Sequence, residues 1–249
     1  MLEEVIKNIS KNKKQLLEIL LDIETIDVAE EEIELSINAL KNTHKYSDKK
    51  VEKVSSYLPM NLPLYSLVNS CIIPKLYCDF CYYRPSSEVL KQSKKIHSLL
   101  NLNLYSIFLF EGTREDFFRE IVYTSNVVIF VGKPENASSV KKKLSENTMF
   151  LYFGVGQNPI VVADNANLDI AAKKIVDATM FNYGQDCAKP NIILCKKNKY
   201  NELKKYLLYY IKRNMNKKTT IKKLRTLIDV AELLSNDREY IDARWGSRF

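Results

Sequence analysis

The chain has 249 residues, a formal net charge of +8, an apolar fraction of 46% and a charged fraction of 27%. These are the proportions of an ordinary globular protein, long enough for one large or two medium domains and for a core that needs no staples. A membrane-spanning class is excluded because no apolar run approaches the roughly 20 residues a bilayer requires; the acidic start Met1-Leu2-Glu3-Glu4 argues against a secretory signal, so a cytoplasmic location is expected.

Residues 1–56 carry apolar positions at helical spacing, among them Val5, Ile9, Leu16, Leu17, Leu20 and Leu21, and read as a helical N-terminal segment. From Pro59 the pattern changes to short apolar runs: Leu76 to Tyr83, Tyr105 to Phe110, Val127 to Val131, Phe150 to Phe153, Ile160 to Ala163 and Ile192 to Cys195. Helical patterns lie between and after them at about 86–99, 113–121, 135–145, 168–181 and 199–213, with one more at 221–241. Strands alternating with helices predict an α/β fold with a parallel sheet. The expected division is a helical segment 1–56, an α/β domain 57–152 and a further α/β portion 153–249.

The five cysteines, Cys71, Cys78, Cys81, Cys187 and Cys195, read as reduced thiols in a chain with no secretion signal. Cys78-Asp79-Phe80-Cys81 lacks a second cysteine pair at metal-ligand spacing, so it reads as core and no metal site is expected. His44 and His97 have no partners in sequence and are assigned no chemistry. The basic excess sits in Lys-rich stretches such as Lys141–Lys143 and Lys196–Lys223, interleaved with Asn and Tyr, and reads as compositional bias rather than a nucleic-acid surface.

The six glycines, at 112, 132, 154, 156, 184 and 246, do not form the GxGxxG turn of the ordinary dinucleotide fingerprint. Gly154-Val155-Gly156 lacks the third glycine, and Pro159 interrupts the helix start. The segment Phe181-Asn182-Tyr183-Gly184-Gln185-Asp186-Cys187 instead places a thiol between an amphipathic helix and an apolar strand, with Lys189 nearby to favour the thiolate. Taken singly, one cysteine among five is more often a small buried residue than a nucleophile.

Four blocks in order give that thiol a context. Pro59-Met60-Asn61-Leu62-Pro63-Leu64, Tyr83-Arg84-Pro85-Ser86-Ser87-Glu88 and Val128-Ile129-Phe130-Val131-Gly132-Lys133 are followed by Phe153-Gly154-Val155-Gly156-Gln157-Asn158-Pro159, which continues into Asn165-Ala166-Asn167-Leu168-Asp169. Singly each could be a connection, a surface cation or a turn glycine. Jointly they resemble the aldehyde dehydrogenase superfamily, from about Pro59 to Cys195.

The resemblance implies an aldehyde-dehydrogenase-like fold: a parallel Rossmann-type sheet with flanking helices, plus part of a second α/β catalytic domain. It implies Cys187 as the nucleophile and Asn61 as the oxyanion donor. It also places Arg84, Ser86, Ser87, Gly132 and Lys133 near an NAD or NADP cofactor. The family's ribose-binding Glu is absent at Ser87, which admits NADP. Its general-base Glu falls on Phe153, which cannot take a proton; with the Gly-Val-Gly segment this raises coenzyme A as an acyl acceptor. Expected partners are a small aldehyde or acyl thioester and a homo-oligomeric or complementary subunit. No Glu-(Ile)-Phe-Gly-Pro segment follows Cys187, so a short or split member, or a non-catalytic scaffold, is the alternative expectation.

Overall fold

The computed structural model describes residues 1–154, 156, 158–184 and 188–215. The chain separates into two compact units, Met1–Val155 and Gly156–Phe249. The helix expected at 221–241 lies outside the described residues, as does Cys187.

The first unit begins with α1 (Leu2–Lys11), α2 (Lys13–Leu20) and α3 (Ile26–Lys41). Each buries one stripe: Val5 and Ile9, then Leu16 and Leu20, then Val28, Ile33, Ile37 and Leu40. This is the helical spacing read from the sequence, with Lys and Glu turned to water. The helical reading does not hold to residue 56, however, because Val51–Tyr57 is the strand β1. Its residues Val-Glu-Lys-Val-Ser-Ser-Tyr hold no apolar run, yet it is the central strand, flanked by β2 (Cys78–Arg84) and β4 (Val127–Val131). Burial of Ser55 and Ser56, not apolar content, marks it as central; Ser56 satisfies its hydroxyl by donating to the Ser70 carbonyl at 2.6 Å.

After β1 come α4 (Pro63–Leu67), β2, α5 (Leu90–Leu99), β3 (Ile107–Leu109), α6 (Arg114–Glu120), β4, α7 (Pro134–Lys141) and β5 (Met149–Phe153). All pairings are parallel and the order is β3-β2-β1-β4-β5. Two cores form on opposite faces of this sheet. Residues of α1 to α5 pack with Val54, Cys81, Tyr83, Ile107 and Ile129, while Phe117 of α6 and Ala137 and Val140 of α7 pack with Tyr57, Val128 and Phe130. The alternation of neighbouring strand residues between the two cores follows from the period of two in a strand. Connections leaving β1 and β2 cover one face and those leaving β3 and β4 the other, so the winding reverses between β1 and β4.

In the second unit, β6 (Pro159–Val162) and β7 (Ile192–Cys195) pair in parallel, with α8 (Leu168–Met180) and α9 (Tyr200–Met215). Val162, Ala172, Ile175, Val176, Ile193, Leu203 and Leu207 share its core. Asn167 caps α8: its side chain accepts the Ile170 N–H at 3.1 Å. Among the described residues no helix is long and apolar enough to cross a membrane.

Candidate functional site

In an open parallel sheet the carboxyl ends of the strands at the reversal point form the natural crevice for a ligand. Here those ends are Tyr57 on β1, Arg84 on β2 and Val131 on β4, and the residues singled out in the sequence follow them directly.

Asn61 lies between β1 and α4 and is half-buried, its carbonyl accepting the Ser66 hydroxyl at 3.3 Å. The next residue, Leu62, has φ 50°, a left-handed conformation costly for a branched side chain. Two buried carboxyl groups hold this bend. Glu24, 3% exposed, accepts the Leu62 N–H at 3.0 Å, and Glu32 of α3, 1% exposed, accepts the Tyr65 N–H at 2.9 Å. They thus take the place of the carbonyls that the first N–H groups of a helix lack. Burial first, and then the neighbouring charge of Glu24, raise the Glu32 carboxyl well above its ordinary range; the N–H groups of Tyr65 and Leu64 pull the other way. The raised Glu32 carboxyl keeps its proton into a range where an exposed carboxyl has lost it, which spares the bend a second buried charge. Nothing in the run Glu30-Glu31-Glu32 signalled this role, because such a run reads as a solvated helix face.

Arg84 closes β2. Its Nε–H donates to the Gly112 carbonyl at 3.0 Å and Nη1 to the Pro85 carbonyl at 3.1 Å, which fixes the guanidinium plane. Ser86 is half-buried, its carbonyl accepting the Val89 N–H at 3.1 Å, and Ser87, exposed, opens a short turn before α5. After β4, Gly132 has φ 157°, and a Cβ there would meet the Phe130 ring at 3.1 Å. Its N–H donates to the Phe153 carbonyl at 3.0 Å, and its carbonyl accepts the Tyr152 hydroxyl at 3.2 Å. Lys133 is exposed and caps α7 through its carbonyl, with Pro134 in the first turn. The structure therefore brings Asn61, Arg84, Ser86, Ser87, Gly132 and Lys133 to one end of one sheet, following β1, β2 and β4. The crevice also holds an orphaned polar atom, since the Tyr57 hydroxyl is buried without a hydrogen-bond partner. A glycine where a side chain would crowd Phe130, cations on both flanks and an unused donor fit a phosphate-bearing dinucleotide.

Phe153 ends β5 and is 57% exposed, and Glu111, which follows β3, is paired with Lys94. In the second unit, the Lys189 ammonium donates to the Gly184 carbonyl at 2.8 Å, and Gly184 has φ 72°. Asn158 and Asn191 bond reciprocally: the Asn158 N–H donates to Asn191 Oδ1 at 2.8 Å, and the Asn191 N–H to the Asn158 carbonyl at 3.2 Å. Cys71, Cys78 and Cys81 are fully buried. The hydrogen bond that the Cys78 thiol gives to Cys81, with burial, pushes Cys78 up; the one Cys81 gives to Cys71, with burial, does the same for Cys81, against the bond it accepts from Cys78. Among the described residues no group of three His, Cys, Asp or Glu could hold a metal ion.

The winding defines a Rossmann-type α/β protein. Residues 107–230 match the model of the Aldehyde dehydrogenase family. "Aldehyde dehydrogenase family 3 member B1" of Mus musculus is 26% identical over 212 residues, covering 73% of this chain and 43% of the relative. The Bos taurus protein of that name is 24% identical over 199 residues, covering 70% and 41%. The structure of succinic semialdehyde dehydrogenase from Streptococcus pyogenes, in complex with NADP+, superposes with a TM-score of 0.76 at 14% identity, covering 94% of this chain and 59% of that one. Betaine aldehyde dehydrogenase from Staphylococcus aureus, in complex with NAD+, gives 0.74 at 17% identity, covering 85% and 48%. The chain belongs to the aldehyde dehydrogenase superfamily. It spans about two fifths of the length of those curated relatives, at 41% and 43%.

Proposed function

We propose that the protein is an NAD(P)-dependent oxidoreductase that acts on an aldehyde or an acyl thioester through a cysteine thiolate. The observation that supports this reading most directly is the clustering of Asn61, Arg84, Ser86, Gly132 and Lys133 at the carboxyl ends of the sheet. Arg84, Ser86, Ser87, Gly132 and Lys133 would hold the cofactor. When bound, the cofactor supplies a hydride acceptor.

The Cys187 thiolate would add to the aldehyde carbonyl, forming the carbon–sulfur bond as the carbonyl π electrons move onto oxygen. The Asn61 side-chain amide would donate to that developing oxyanion, a contact whose loss costs about 100- to 1,000-fold in turnover. The strained bend at Leu62, held by Glu24 and Glu32, supports this role by setting the course of the chain at Asn61. The thioester that follows loss of hydride then requires water or another acyl acceptor. Because Phe153 offers no base, product analysis with and without coenzyme A separates hydrolysis from acyl transfer.

The deciding experiment follows reduced cofactor at 340 nm with a panel of aldehydes. Turnover abolished by Cys187→Ala and cut by Asn61→Ala supports the proposal. Nucleotide binding with no turnover on any aldehyde or acyl-coenzyme A, and no preferential alkylation of Cys187, would instead make the chain a non-catalytic scaffold or partner subunit.

A further inference from the structure

The peptide that joins Asn61 to Leu62 is held at both of its polar ends. Its N–H donates to a Glu24 carboxyl oxygen at 3.0 Å, and its carbonyl accepts the Ser66 hydroxyl at 3.3 Å. A peptide unit is planar and turns as one piece about the two bonds that flank it. Holding both ends therefore sets ψ of Asn61 and φ of Leu62 together. That φ is 50°, a region that a branched side chain occupies only where its surroundings impose it.

Each hold is itself anchored. Glu24 stands between α2 and α3: its own N–H donates to the Leu20 carbonyl at 3.0 Å, and the next residue, Thr25, caps α3 and accepts the Ala29 N–H at 2.9 Å. The Glu24 side chain, 3% exposed, is thus fixed from a short turn pinned on both sides. Ser66 belongs to α4, whose first turn closes when the Ser66 N–H donates to the Leu62 carbonyl at 2.8 Å. Pro63 brings no N–H to that turn, and the Tyr65 N–H is taken by Glu32 at 2.9 Å. Glu32 therefore steadies the short helix that carries the Ser66 hydroxyl.

The Asn61 side chain leaves the Cα next to this peptide, so a rotation of the plane swings the amide. An oxyanion donor works only at about 2.7–3.1 Å from the charge it receives. A misplacement of about 1 Å, arising from residues away from the chemistry, costs on the order of 100-fold in rate. The two hydrogen bonds on the peptide are short-range and directional, which is what such placement demands.

We infer that Glu24 and Ser66 are positioning residues for the Asn61 amide, acting on turnover only through the peptide they hold. This rests on the reading of Asn61 as oxyanion donor proposed above. The turn between α2 and α3 is thereby part of the catalytic apparatus, although it lies outside the sheet and its crevice.

Aldehyde turnover by the full chain tests this in Ser66→Ala, Glu24→Gln and Glu24→Ala, each alone and combined with Asn61→Ala. Glu24→Ala should lower kcat and kcat/KM alike by about tenfold or more, and Ser66→Ala several-fold, with KM unchanged. Glu24→Gln keeps an acceptor for the Leu62 N–H and should stay within about threefold of the parent. In the Asn61→Ala background the same substitutions should cost nothing further, because the group they place is gone. Leu62→Gly, at ease in the left-handed region, should return most of the turnover lost in Glu24→Ala. A loss of stability alone would not be returned by glycine. Ser66→Ala removes one half-buried oxygen and carries the comparison without threatening the fold; its Leu62 N–H should also exchange with solvent several-fold faster, a readout that needs no turnover. Full additivity with Asn61→Ala, no rescue by Leu62→Gly, or unchanged exchange in Ser66→Ala overturns the inference while the Asn61 reading stands. An Asn61→Ala protein as fast as the parent, or a parent with no turnover, overturns both.

Discussion

Glu32 and Glu24 are electrostatic neighbours, each almost wholly buried, and together they hold the Leu62–Tyr65 bend that follows Asn61. A raised carboxyl means that the folded state keeps a proton which the unfolded state releases near its ordinary value of 4.5. The stability this contributes is full below that value and is lost as pH rises toward the folded pKa. Glu32→Gln keeps an acceptor for Tyr65 and carries no titrating proton. Its urea midpoint should therefore fall less between pH 5 and pH 8 than that of the parent; equal slopes would show that Glu32 keeps no extra proton in the folded state. Glu32→Ala, which orphans the Tyr65 N–H, should lose about 1–3 kcal/mol at any pH.

His97 has the opposite sign. Its ring is 8% exposed, with Nδ1 3.1 Å from the Tyr83 hydroxyl and Nε2 3.0 Å from Asn103 Oδ1. Asn103 Oδ1 can only accept, so Nε2 carries the proton and Nδ1 accepts from Tyr83. Burial pulls His97 below its ordinary value of 6.5, with the Asn103 hydrogen bond opposing. The associated stability is present above pH 6.5 and is lost as pH falls through the folded value. Denaturation between pH 7.5 and 5.5 should show this loss in the parent and not in His97→Gln. Tyr83→Phe leaves Nδ1 without its donor and should cost about 1–3 kcal/mol at neutral pH.

Thiol labelling discriminates among the cysteines. Cys71, Cys78 and Cys81 are 0% exposed, and both Cys78 and Cys81 are pushed up. A thiol is nucleophilic as thiolate, so these three should resist iodoacetamide until the protein unfolds. Half-buried Cys195 is raised by burial and should label slowly. Peptide mapping after brief alkylation should then find label at Cys187, and early label at the buried three would contradict the packing described.

The α8 cap permits a local test. Asn167→Ala removes the acceptor of the Ile170 N–H and should destabilise by about 1 kcal/mol, with Asn167→Ser restoring most of it. Equal denaturant midpoints for all three proteins would show that the cap contributes nothing measurable.

Much of this architecture was legible in the chain itself, though unevenly. Val127–Val131 and Ile192–Cys195 are strands with the limits their apolar runs suggested, and α8 begins at Leu168, where the helical pattern began. The central strand was not legible: Val51–Tyr57 alternates charge and serine, and it is a strand because both of its edges find partners. Of the residues around the crevice, those in recognisable blocks, Asn61, Arg84, Gly132 and Lys133, could be read directly. Glu24, Glu32 and Tyr57 could not, since each looks in sequence like an ordinary surface charge or core aromatic.

The sequence by itself determined the fold class and the superfamily, because periodicity and ordered motifs are local properties that survive without coordinates. Only the tertiary structure decided which carboxyls are buried together at the bend after Asn61, and which strand lies at the centre of the sheet. The cost of a buried charge or an unpaired donor depends on neighbours far away in the chain: Glu32 meets Tyr65 across 33 positions, and Arg84 meets Gly112 across 28.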